Sequence, residues 1–222
     1  NYKTVFFTLG ILLIILGVAM VVPIVFQLIY NEFDSTFIIS GIITITFGIL
    51  FFLSNIDHLK LINTQQAFLL TALSWLCIAT FGSLPFFFSQ LDLSITDSFF
   101  ESMSGITTTG ATILNNIESS PKGILMWRSM LQWLGGIGVI LMAITLMPIM
   151  NIGGMQLLKI SAYDTSDKIL PKSKEISKKL ITVYLILTFL CAFFYKIFGM
   201  NTFDSLTHSM TTIATGGFSN YD

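Results

Sequence analysis

The sequence predicts an all-α integral membrane protein built on a repeated unit, and three observations carry that prediction. Of 222 residues, 54% are hydrophobic and 10% charged, and the mean hydropathy is +0.82; a soluble domain carries roughly 25% charged residues. Five apolar stretches are long enough to cross a hydrocarbon core about 30 Å thick, which takes about 20 helical residues. A 16-residue polar segment occurs twice, at an offset of 107. A net charge of −1 and a pI near 6.1 give no basic surface for nucleic acid. Cys77 and Cys191 lie inside apolar runs and read as inert small hydrophobes.

The first stretch, Val5 to Tyr30, is too long for a signal-peptide core of roughly 7 to 15 residues and is read as a retained membrane helix. Phe37 to Ser54, Ala67 to Ser89 and Leu180 to Phe198 are further spans. Gly123 to Leu158 is longer than one span needs; Gly135, Gly136, Gly138, Pro148, Gly153 and Gly154 predict a kink or break in it. Two remaining segments, Leu91 to Lys122 and Gly199 to Asp222, hold apolar runs too short to cross and are expected to re-enter the membrane. Non-helical backbone at membrane depth must be sheltered by protein or line a wet cavity. The expected organisation is a two-helix segment over residues 1–60, a complete helix, short helix, helix unit over 61–160, and a second unit over 161–222 that stops past its loop.

With Asn1 in the cytoplasm, eight of the eleven basic residues fall inside: Lys3, Lys60, Lys159, Lys168, Lys172, Lys174, Lys178 and Lys179. That bias fixes a multi-pass topology with both re-entrant segments entering from outside.

The repeat aligns "DSFFESMSGITTTGAT" (Asp97 to Thr112) with "DSLTHSMTTIATGGFS" (Asp204 to Ser219) without gaps, and seven of sixteen pairs are identical. Repeats in membrane proteins place the working site at their interface. In each copy a short helix is expected to begin at Asp97 or Asp204 as N-cap and to end before a Gly/Thr loop. Its negative dipole end then faces the loop and favours a cation. Rings of carbonyls replace the water of a dehydrated ion without a buried full charge, and glycine lets the backbone present them.

These loops, with "WRSMLQWLGGIGVILMAITLMPI" (Trp127 to Ile149) after the first, resemble the Trk/Ktr/HKT superfamily of potassium transporters, most closely its bacterial TrkH/TrkG membrane-subunit family. The resemblance implies potassium uptake across the bacterial cytoplasmic (inner) membrane. Its channel-like fold has four helix, pore-helix, helix units around one pore, preceded by two extra helices. Thr108, Thr109, Gly110 and Ala111 would match the filter in the first unit, and Thr215, Gly216, Gly217 and Phe218 in the second. Thr107 and Ala214 would offer carbonyls at its inner end. In related plant transporters serine at the first filter glycine goes with sodium permeation, so Gly110 and Gly217 favour potassium. The resemblance also implies a homodimer, a cytosolic nucleotide-binding regulatory partner of the TrkA type, no organic cofactor, and a natural chain of roughly twice this length. The regulatory partner would contact the mixed-charge stretch "KISAYDTSDKILPKSKEISKK", otherwise a solvated connection touching the lipid bilayer. A sodium-permeable or cation-coupled symporter of the same superfamily is the alternative reading.

Asp97, Glu101 and Asp204 are placed on the short helices and at the mouth, where Glu101 either concentrates cations or bonds to neighbouring backbone. Arg128 is expected to snorkel to headgroups, with an ion pair to Glu101 as second choice. "WLGGIGV" reads as helix packing, since no strand precedes it to make a phosphate cradle. His58 and His208 belong to no ligand cluster, and no intramembrane acid–base pair suggests an enzyme.

Overall fold

The computed structural model describes residues 2–55, 63–150 and 169–222, and every regular element among them is helical. Five helical stretches are long and apolar enough to cross a membrane. His58, Lys60, the Gly153-Gly154 pair, Lys159 and Lys168 lie outside the described residues.

The first span consists of α1 (Lys3–Ala19) and α2 (Val21–Ile29). The chain breaks at Met20, one turn ahead of Pro23, whose ring lacks a donor and crowds the carbonyl four residues back. α3 (Thr36–Leu53) runs antiparallel to α1 in very close contact. A Cβ on Gly10 would sit 2.7 Å from the Gly48 carbonyl, and one on Gly17 would sit 3.2 Å from the Gly41 carbonyl. Lipid supplies no hydrophobic force between helices, so small residues that let backbones approach are what bring α1 and α3 together.

α4 (Thr64–Gly82) opens on a capping box between Asn63 and Gln66. At Ser83 it gives way to α5 (Leu84–Phe88), which has Pro85 in its first turn, so the third expected span is two helices. α6 (Ile95–Ile106) follows, then a loop with a 3-10 turn at Ile117–Ser119, then α7 (Lys122–Met150). α8 (Ile169–Ile197) and α9 (Thr202–Ile213) complete the chain. α8 begins well before the expected Leu180, so part of the stretch that the sequence suggested was a connection is the first turns of a long helix.

α6 packs against both α4 and α7, and α9 packs against both α8 and α7, which makes α7 the shared wall. Trp127 is fully buried near Phe37 and donates its indole N–H to the Gly82 carbonyl at 2.9 Å, which pins α7 to the end of α4. No break interrupts α7 at its glycines or at Pro148. The glycines serve another purpose. A Cβ on Gly135 would overlap the Ile106 carbonyl at the end of α6, and one on Gly136 would sit 3.2 Å from Ala214 at the end of α9. The ends of both short helices therefore rest on one Gly-Gly step, as the packing reading of "WLGGIGV" expects.

Candidate functional site

α6 and α9 are each 12 residues long and their bounds differ by the repeat offset, so residue 95 corresponds to 202 and residue 106 to 213. At 1.5 Å per residue each is about 18 Å long, too short to cross the membrane. Both begin earlier than the sequence suggested. Ser94 and Asn201 are the N-caps, accepting from the amides of Asp97 at 3.1 Å and Asp204 at 2.8 Å. Asp97 and Asp204 are therefore third residues of their helices rather than caps, and each carboxylate accepts a bond back from its cap side chain. The S-x-x-D and N-x-x-D spacing was visible in the sequence as a capping-box signal.

At their other ends both helices finish in the same way. Thr108 N–H donates to the Gly105 carbonyl and Thr109 N–H to the Ser104 carbonyl; Thr215 and Gly216 repeat this with Thr212 and Thr211. This is the Schellman pattern, whose left-handed residue is usually glycine. Here threonine fills it twice, with φ of 56° at Thr108 and 54° at Thr215. A β-branched side chain strongly disfavours this region. Two residues on, Gly110 and Gly217 have φ of 79° and 83°. Positive φ thus alternates in both loops. In an extended strand successive carbonyls point to opposite sides, whereas alternation of sign turns them toward one. Among the described residues the hydroxyls of Thr108 and Thr215 take no hydrogen bond, and Thr215 is exposed. The loops meet where Gly110 abuts the Gly216 carbonyl, with no room for a Cβ.

α7 holds this arrangement with two polar side chains one turn apart. Arg128 is 1% exposed, so it does not snorkel. It pairs with fully buried Glu101 at 2.8 Å. Glu101 therefore cannot serve as a cation-gathering group at the mouth; it also accepts from Thr112 Oγ1 at 2.9 Å and the Ile113 amide at 3.2 Å. Arg128 further donates to Thr112 Oγ1 at 3.1 Å and to the Ser219 carbonyl at 3.0 Å, and it lies 4.2 Å above the Phe218 ring. One guanidinium thus touches both loops. Gln132 donates to the Gly216 carbonyl at 2.9 Å and accepts from the Phe218 amide at 3.1 Å.

The outer end of the second loop returns to its own helix. Asn220 donates to Asp204 at 2.7 Å and to Thr207 at 2.7 Å, and the Tyr221 hydroxyl donates to the same carboxylate. Burial raises the Asp204 pKa, but hydrogen bonds from Tyr221, Asn220 and Asn201 outweigh it and leave the carboxyl below its ordinary value.

The structure thus brings residues 107–111 and 214–218 together, but not all on the same terms. Thr107 Oγ1 bonds to the Met103 carbonyl at 2.7 Å and lies 2.8 Å from Thr109 Oγ1. Ala214 is buried against Gly136, and Phe218 is a buried wall residue. The Ala111 carbonyl already accepts from Ser104 at 2.5 Å, and the Gly216 carbonyl from Gln132 at 2.9 Å, so these two are engaged with the protein rather than free. His208 bonds only the Asp204 carbonyl, and no metal-ligand cluster occurs among the described residues. Gln132, Asn220 and Tyr221 were not foreseen. Gln132 carried a signal, since a polar residue inside a membrane helix faces protein by default.

Comparison with known proteins points the same way. The family described as TrkH, cation transport protein, matches residues 34–222. The Trk system potassium uptake protein TrkI of Halomonas elongata is 39% identical over 96% of this chain and 44% of its own length. The TrkH protein of Escherichia coli K12 is 37% identical over all of this chain and 47% of its own length. The crystal structure of the potassium transporter TrkH from Vibrio parahaemolyticus superposes with a TM-score of 0.88 at 34% identity, covering all of this chain and 45% of that one. The chain spans about half the length of the curated relatives it matches. It belongs to the TrkH family of cation transport proteins.

Proposed function

We propose that this chain contributes two of the filter segments through which a Trk-type membrane subunit takes up potassium. The observation that carries the proposal is the duplicated geometry: matched 12-residue helices, each ending in a threonine and a glycine of positive φ, meeting at Gly110 and Gly216. The negative ends of both helix dipoles face the loops. Carbonyls of the loops and the unbonded hydroxyls of Thr108 and Thr215 replace the ion's water without a buried carboxylate. Relatives bearing the name of potassium uptake proteins support this reading. The residues act by coordination, and no covalent step is involved.

On the same reading residues 61–160 form one pore unit and 161–222 begin another, with the N-terminus cytoplasmic in the inner membrane. A second copy of the subunit and a cytosolic nucleotide-binding regulatory subunit are the proposed partners. The test is potassium and sodium flux through the complete gene product in liposomes, beside Gly110→Ser. Because the added Cβ falls on the Gly216 carbonyl at a left-handed position, the variant should lose potassium flux or admit sodium. Unchanged flux and ion preference would sink the assignment.

A further inference from the structure

The two loops share a backbone but not a chemistry at the peptide that precedes the second left-handed residue. In the first loop that peptide joins Thr109 to Gly110, and no side chain among the described residues bonds the Thr109 carbonyl. In the second it joins Gly216 to Gly217. A Gly-Gly peptide rotates most freely, and a Cβ on Gly217 would meet nothing within 4 Å. The sequence therefore leaves the orientation of the Gly216 carbonyl to something outside the loop.

Gln132 supplies it. The side chain is completely buried in α7, where an unpaired amide would be strongly disfavoured. Its Nε2 donates to the Gly216 carbonyl and its Oε1 accepts from the Phe218 amide, so one planar group spans Gly217. The pairing is directional. Rotating the Gly216-Gly217 peptide by half a turn would remove the acceptor from Nε2 and break the clasp.

We infer that Gln132 is a specificity-determining positioning residue: its side-chain amide fixes the Gly216-Gly217 peptide and thereby sets the cation preference of the second loop. The inference rests on the filter reading above and extends it to a residue outside the filter, on a helix of the other unit. A Gly216 carbonyl held against α7 is withheld from the ion. Released, it competes with its neighbours as a ligand, and the ligand number and field strength that separate potassium from sodium change.

The experiment uses the complete gene product in liposomes, comparing wild type, Gln132→Met and Gln132→Asn for potassium and sodium flux. Methionine keeps the length and apolar volume but makes neither bond; asparagine keeps the amide but is one methylene short. The potassium-to-sodium flux ratio should fall about tenfold in Gln132→Met, as expected for losing one to two hydrogen bonds that define the site. Gln132→Asn should show the same loss in smaller measure. Where methionine prevents assembly, the asparagine variant decides. Melting in potassium against sodium gives a second readout: wild type should melt higher in potassium, and the variants should lose that difference. A selective wild type with an unchanged ratio in the assembled variants overturns this inference alone. A wild type without potassium preference overturns the filter reading on which it rests.

Discussion

The two loops share the same backbone pattern of positive φ and are braced by different chemistry. The first hangs on a buried ion pair, Glu101 with Arg128, which gathers Thr112 and the Ile113 amide. The second hangs on neutral amides and a buried carboxylate that has no cationic partner in an ion pair among the described residues: Gln132 from α7, with Asn220 and Tyr221 on Asp204. His208 stands at the repeat position of Glu101, where its ring bonds the Asp204 backbone carbonyl and stacks on Tyr221. The seven identities between the repeats include the Asp at the third helical position, the left-handed threonine and the left-handed glycine, whereas the bracing residues Glu101, Arg128 and Gln132 are not among them. The braces need only supply donors and acceptors at fixed places, and so they differ. Arg128 joins the two systems through the Ser219 carbonyl and the Phe218 ring.

If the first loop depends on charge, removing one charge should do the most damage. Arg128→Met leaves Glu101 buried without its partner and should lower stability by about 3–5 kcal/mol, enough to abolish monodisperse protein. Adding Glu101→Gln should restore much of it, because a neutral amide in place of the carboxylate no longer needs the cation. Size-exclusion profiles and thermal melts of the single and double variants measure both effects. Equal behaviour of the single variant and wild type would show that the pair braces nothing.

A smaller effect of opposite sign tests what the repeats share. Thr108→Gly and Thr215→Gly relieve a β-branched residue at the left-handed cap. Each should raise stability by roughly 0.5–1 kcal/mol after allowing for glycine's greater unfolded freedom. Each should also lower potassium-selective flux, because an unbonded hydroxyl disappears from the loop. A variant that is both more stable and fully active would show that the threonines are not there to coordinate.

These features were unevenly legible in the sequence. Apolar run length located the five spans, and the offset of 107 located both short helices and both loops, because a repeat exposes positions that local composition hides. The burial of Arg128 was not legible. Snorkelling is the usual outcome for an arginine near a helix end, and only the three-dimensional approach of Glu101 and Ser219 reverses it. The α1–α3 contact was legible in principle, since Gly10 and Gly17 share a seven-residue spacing with Gly41 and Gly48. Gln132 was hidden for another reason: its partners are backbone atoms 84 and 86 residues away, which no side-chain pattern announces.

The smallest expected effect concerns pH and the second loop alone. Asp204 titrates below its ordinary value because its hydrogen bonds outweigh burial. A depressed carboxylate adds stability above the unfolded pKa of about 3.9, and that contribution is lost as pH falls through the lower folded value. Tyr221→Phe removes one of the bonds. Its melting temperature should lie below wild type at neutral pH, and the two should converge in acid. A difference that stays constant with pH would assign Tyr221 a packing role instead.

The central claim is that residues 107–111 and 214–218 hold the transported ion. Anomalous diffraction from crystals of the complete gene product soaked in rubidium, a potassium substitute, tests it most directly. The account predicts anomalous density flanked by both loops, within about 3 Å of their oxygens, as a direct oxygen-to-cation contact requires. Density elsewhere along the pore, with none between these loops, would contradict it.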